Sequence, residues 1–213
     1  MTVIERLIAG FRVFRTTYYE LRPTLFSNLV QRGQNPKVMV VACSDSRVDP
    51  AILLTAEPGE LFVVRNVANL VPPYQPDESY HGTSAALEFA VRDLEVEHIL
   101  VLGHYRCGGI RALRQATRGH PVDREFITPW VSIAAGSCCS DLANKDGDLD
   151  EADSIRATEQ AAIRASLRNL RTFPWIRERE EKNTLSLHGW WFDLEKGELL
   201  QLNPGDNSFT AII

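Results

Sequence analysis

The chain has 213 residues, 44% of them hydrophobic and 24% charged, with 13 glycines and 11 prolines, so it can bury a core and is too poor in Gly and Pro to be low-complexity. A net charge of −5 argues against a general electrostatic grip on nucleic acid, and the longest uninterrupted apolar run, Val38–Cys43, falls far short of the roughly 20 residues that a membrane-spanning helix needs. Four cysteines (Cys43, Cys107, Cys138 and Cys139) with no secretory signal ahead of them suit a reduced, cytoplasmic setting, where sparse cysteine means metal or reactivity more often than bridging.

In chain order, Val3, Leu7, Phe11 and Phe14 share a helical face beside Ile4 and Ile8, and Thr2 with Glu5 makes a capping box, so residues 2–20 are predicted to form an amphipathic helix. Pro23 opens a second short helix that stops at Gly33. Residues 37–43, 60–64 and 98–103 are short β-branched runs of the kind that suit parallel strands covered on both faces. Between the last two, residues 84–94 read as a helix with two apolar stripes, Leu87, Val91 and Leu94 on one and Ala86, Phe89 and Ala90 on the other. Such a helix is covered on both sides, by its own sheet and by a neighbour such as a second subunit.

Further helices are expected over 109–117, 124–140 and 151–172, with Cys138 and Cys139 as small buried residues on different faces of the second. Residues 144–148 look like a calcium loop but fail as one, because Leu142 stands where the first acidic ligand belongs; a solvated loop is expected. Residues 184–201 read as a hairpin turning near Lys196 and Gly197. The sum is one α/β domain over 1–213: a helical arm over 1–33, a core over 34–202 with a mainly parallel central sheet flanked by helices, and a C-terminal hairpin.

Two of the three parallel-type runs end in a metal-capable residue. Cys43 closes the first, His104 follows the third, and Cys107 comes three residues later. Sites in open α/β sheets form beyond the carboxyl ends of strands, which aims a thiolate and an imidazole at one place. Cys107 stands where the next helix begins, a position that favours the thiolate, and Gly103, Gly108 and Gly109 permit a tight turn around it. Two Cys and one His without a fourth soft ligand is the composition of catalytic zinc, which keeps one position open. In the loop after Cys43, Asp45 and Arg47 form a candidate dyad in which Arg47 keeps the carboxylate ionised and aims it at that position.

Three blocks, Ala42-Cys-Ser-Asp-Ser-Arg-Val48, Val64-Arg-Asn-Val-Ala-Asn69 and Gly103-His-Tyr-Arg-Cys-Gly-Gly109, resemble the three signatures of β-class carbonic anhydrases, and Leu187-His-Gly-Trp-Trp-Phe192 is similar to that family's last strand. The resemblance implies zinc on Cys43, His104 and Cys107, Asp45 and Arg47 as the dyad, and reversible hydration of CO2 to bicarbonate by zinc-bound hydroxide. It implies a homodimer or dimer-based oligomer whose sites are lined by both subunits. Val40 and Phe192 stand where one subgroup has the Trp and Tyr of an inhibitory bicarbonate site, while Gly33-Gln-Asn-Pro-Lys37 matches the plant-like subgroup. By that likeness Gln34 orients substrate, and Phe62 and Val67 form an apolar substrate wall that Phe89 joins, in place of a Tyr common there. His81 is the best candidate to pass the proton to solvent. The rival readings are a zinc enzyme acting on a CO2 analogue (carbonyl sulfide or carbon disulfide) and a non-catalytic zinc module with Asp45 as permanent fourth ligand.

Overall fold

The structure, a computed structural model, describes residues 1–120, 123–136 and 150–212. The chain divides into two compact units, Met1–Asn35 and Pro36–Ile213. In the first, α1 (Val3–Arg15) begins with the expected capping box: the Thr2 hydroxyl accepts from the Glu5 amide at 3.2 Å and the Glu5 carboxylate accepts from the Thr2 amide at 2.7 Å. The helix runs on through a wider π turn at 16–20, and α2 (Pro23–Arg32) follows and ends at Gly33, whose φ of +73° suits only glycine without strain. Phe14, Tyr18, Tyr19 and Phe26 stack between these helices.

The second unit is built on a six-stranded sheet of β1 (Val38–Cys43), β2 (Leu61–Asn66), β3 (His98–His104), β4 (Ser186–Asp193), β5 (Glu198–Leu202) and β6 (Phe209–Ala211) in the order β2-β1-β3-β4-β5-β6. The first four strands in that order are parallel, and β5 and β6 add antiparallel at the edge. Alternation along β1 and β3 explains why their sequences read as continuous apolar runs. Met39, Val41, Ile99 and Val101 face one side, against Leu87, Val91, Ile163, Leu170 and Trp191. Val40, Ala42, Leu100 and Leu102 face the other, against Leu53, Leu54 and Trp190.

The connecting helices are α3 (Pro50–Leu53), α4 (Gly82–Glu88, continued by a π turn at 89–93), α5 (Gly108–Thr117), α6 (Ile127–Ser132), α7 (Glu151–Leu170) and α8 (Pro174–Glu181). Three of these elements have no counterpart in the sequence reading: α3, whose Asp49 cap accepts from the Ala51 and Ile52 amides, α8, and β6. The helix expected over 124–140 begins at Ile127 and is interrupted at 133–134, where the Ile133 and Ala134 amides turn back to carbonyls three residues earlier, before residues 135–136 are helical again; Cys138, Cys139 and the loop at 144–148 lie outside the described residues. The helix expected to reach 172 stops at Leu170, where Pro174 opens the next one.

His98 on β3 and His188 on β4 lie diagonally across the ladder, with ring nitrogens 3.2 Å apart. Burial, then the neighbouring His98, holds the His188 pKa below its ordinary 6.5. The folded state thus binds fewer protons than the unfolded chain just below pH 6.5, and stability falls as pH drops through that window. His188→Gln is expected to flatten this acid-side slope; urea unfolding between pH 7.5 and 5.5 checks it, and an unchanged slope contradicts the assignment.

Candidate metal centre

β2 and β3 flank β1 on opposite sides, so the order of the sheet reverses between β1 and β3 and opens a crevice at their carboxyl ends. Cys43 is the last residue of β1 and His104 the last of β3. From His104 the chain turns through Arg106, at a φ of +54°, and places Cys107 as the N-cap of α5. All three side chains are buried, and their donor atoms lie within 4.8 Å of one another. The two sulfurs are 3.8 Å apart. Two thiolates about 2.3 Å from a tetrahedral zinc lie about 3.8 Å from each other, so the pair fits that ion.

The histidine fits as well. His104 Nδ1 lies 3.0 Å from the Tyr105 carbonyl, to which it donates. This leaves Nε2 as a bare acceptor, buried and without a hydrogen-bond partner. The thiols point the same way. The hydrogen bond from Cys107 pulls the Cys43 thiol well below its ordinary pKa despite burial, and that same bond, then burial, pushes Cys107 up. The two sulfurs therefore share a proton unless a cation replaces it.

Asp45 stands at the rim. Arg47 grips it bidentately, Nε to Oδ1 at 2.9 Å and Nη2 to Oδ2 at 2.8 Å, while the Arg47 amide adds a third bond at 3.0 Å. The Arg47 fork, above all, holds the Asp45 carboxyl far below the usual carboxylate range, so it stays ionised. Its Oδ2 is 3.9 Å from His104 Nε2, beside the donor set.

The structure adds residues to which sequence reasoning gave no role. Arg65 on β2 donates to the Cys43 carbonyl at 2.9 Å, the Asp45 carbonyl at 2.7 Å and the Asp49 carboxylate at 2.9 Å, bracing the loop that carries the dyad. Ala68 takes a φ of +69° against α5, where a Cβ on Gly109 would meet it at 2.8 Å. Beneath the loop, the Glu159 carboxylate, 2% exposed, accepts from the Cys107 amide at 2.9 Å and from Trp191 Nε1 at 3.1 Å. Burial pushes its pKa up to about 7. Glu159→Ala strands both donors at roughly 1–3 kcal/mol each, and is expected to lower the urea midpoint and loosen the metal loop; a midpoint equal to wild type contradicts this.

The expected substrate residues divide between the two units. Gln34 is exposed in the N-terminal unit. Phe62 and Phe89 meet at a centroid distance of 5.9 Å, and Phe89 remains 44% exposed. Val67 packs on the cluster that includes Cys43 and Cys107, and its carbonyl accepts from Trp130 Nε1. Phe62, Val67 and Phe89 do not line the cleft bordered by Asp45, Arg47 and Cys107. His81 pairs with Asp77 at 2.8 Å and lines a separate hollow with Tyr74 and Phe173.

With this geometry in view, the comparisons agree with one another. The family model described as carbonic anhydrase matches residues 38–199. The chain is 41% identical over 199 residues to β-carbonic anhydrase 3 of Arabidopsis thaliana, covering 92% of this chain and 76% of the relative. Its fold is similar to that of the β-carbonic anhydrase CcaA, with a TM-score of 0.88, 34% identity and coverage of 98% and 91% of the two chains. It is also similar to one of two tetrameric β-carbonic anhydrases of Sordaria macrospora, with a TM-score of 0.82, 27% identity and 98% of each chain covered.

Proposed function

Since the chain belongs to the β-carbonic anhydrase family, we propose that it catalyses the reversible hydration of CO2 to bicarbonate and a proton, with zinc held by Cys43, His104 and Cys107. The observation that carries this reading is the convergence of two sulfurs and an unpartnered imidazole nitrogen on one buried point, with a carboxylate held just outside it. Zinc in that set supplies Lewis acidity, the general property that brings the pKa of a coordinated water near neutrality, best known from three-histidine carbonic anhydrases.

The protein's own groups do the rest. Asp45, kept anionic by Arg47, accepts the hydrogen bond of the reacting water and turns its free lone pair toward the carbon of CO2. Glu159 and Arg65 hold the two loops in place. Gln34 donates to the oxygen that gains charge, and Phe62, Val67 and Phe89 wall the apolar approach. Because Phe62 and Phe89 pack on each other rather than on the metal cluster of their own chain, they serve, with Gln34, the site of a partner subunit in a homodimer or a dimer-based oligomer. The tetrameric relatives support such an assembly. Paired thiolates suit the reducing cytoplasm.

Stopped-flow CO2 hydration by the zinc-loaded protein, run beside carbonyl sulfide and carbon disulfide hydrolysis, tests the reading. Rapid turnover of CO2 over both analogues is expected. A zinc-replete protein inert toward CO2 at every pH overturns it in favour of a non-catalytic module, and preference for an analogue overturns the substrate.

A further inference from the structure

A cleft of about 740 Å³ runs from the metal loop along α5 toward the start of α7. Its charge is unusual for a chain of net −5: five guanidinium groups line it (Arg47, Arg106, Arg111, Arg114 and Arg118) against the two carboxylates of Asp45 and Glu151. Asp45 and Arg47 are spent on each other, Arg106 faces the Glu195 carboxylate at 3.6 Å, and Glu151 is an exposed side chain 3.5 Å from Arg114.

Three features point to a ligand. Arg114 lines the cleft although its side chain is only 8% exposed, held by the Ser154 hydroxyl at 3.0 Å. The guanidinium groups of Arg111 and Arg118 make no hydrogen bond or ion pair among the described residues. Positions 111, 114 and 118 recur at intervals of three and four, one face of the helix, and span about 10 Å at 1.5 Å per residue. A row that long exceeds one tetrahedral anion and suits a chain of linked phosphates, whose oxygens match the guanidinium fork.

We infer that this cleft binds a di- or triphosphate-class anion laid along α5 on Arg111, Arg114 and Arg118. In a second step, which rests on the proposed hydration reaction, the bound anion obstructs the exchange of bicarbonate. Binding itself needs only the cleft, so binding and turnover are read separately.

The experiment is calorimetric titration of tripolyphosphate into the zinc-loaded full chain at fixed ionic strength, with ATP and inorganic phosphate as parallel probes. Saturable binding of tripolyphosphate is expected, weakened about tenfold or more in Arg111→Gln/Arg118→Gln and partly restored in Arg111→Lys/Arg118→Lys, while anion-free CO2 hydration is unchanged. Equal affinity for ATP assigns the phosphate chain alone, and tighter ATP adds a nucleoside contact along Ile110 and Ile155. No saturable heat overturns the inference. So does equal heat in wild type and the glutamine variant, which is also what extraction of zinc by the probes would give. Arginine-dependent binding in a protein that fails to hydrate CO2 leaves the cleft assigned and removes the reaction.

Discussion

Arg47→Ala is expected to keep a full equivalent of zinc and to lose CO2 hydration by about 100-fold or more, the scale on which removal of one preorganised electrostatic group acts. The guanidinium touches none of the three metal ligands and commits both oxygens of Asp45. Once it is removed, the carboxylate, already 3.9 Å from His104 Nε2, is drawn to the cation and fills the corner that the reacting water requires. The loss falls on kcat because the metal site is closed rather than emptied, and raising the pH restores little. Stopped-flow rates beside zinc content check this. Wild-type turnover in the variant contradicts the dyad, whereas loss of zinc makes Arg47 part of the structural support of the site.

Cys43→Ser is expected to lose the metal itself. A serine hydroxyl does not ionise near neutral pH, so the donor set falls from two thiolates and an imidazole to one of each, and the softness that selects zinc is halved. The Cys107 thiol, deprived of the partner 3.8 Å away, has neither its hydrogen bond nor a shared cation. Binding of zinc to the folded state adds to stability by mass action, so the variant is also expected to unfold at a lower temperature in the presence of zinc. Elemental analysis and thermal unfolding with and without added zinc check both effects. Full occupancy in Cys43→Ser would remove Cys43 from the centre.

What the sequence displays and what it hides divide along physical lines. The ends of β1 and β3 were legible because a parallel sheet buried on both faces leaves continuous β-branched runs, and a Cys or His at the end of such a run is placed by the topology alone. Gly33 and the Thr2–Glu5 box announced helix ends because their chemistry is local. The supports of the site were hidden because they are made across the fold. Arg65 acts through carbonyls about twenty residues away, and Glu159 reaches the Cys107 amide from the middle of α7, a position that reads as one more charge on a helix. The second apolar stripe of residues 84–94 suggested a covering partner. Ala90 on it is buried within the chain, whereas Phe89 is left 44% exposed. Among the motif residues, Val67 packs beside the metal ligands while Phe62 and Phe89 meet elsewhere, a separation that a list of motifs cannot convey.

X-ray absorption at the zinc edge of the purified full chain bears most directly on the centre. Two sulfur neighbours at about 2.3 Å with two nitrogen or oxygen neighbours at about 2.0–2.1 Å, one of them exchanged by an added small anion, is the spectrum that two cysteines, one histidine and an open corner require. Three or four sulfurs, an all-nitrogen and oxygen shell, or a fourth neighbour that no anion displaces at any pH would contradict that centre.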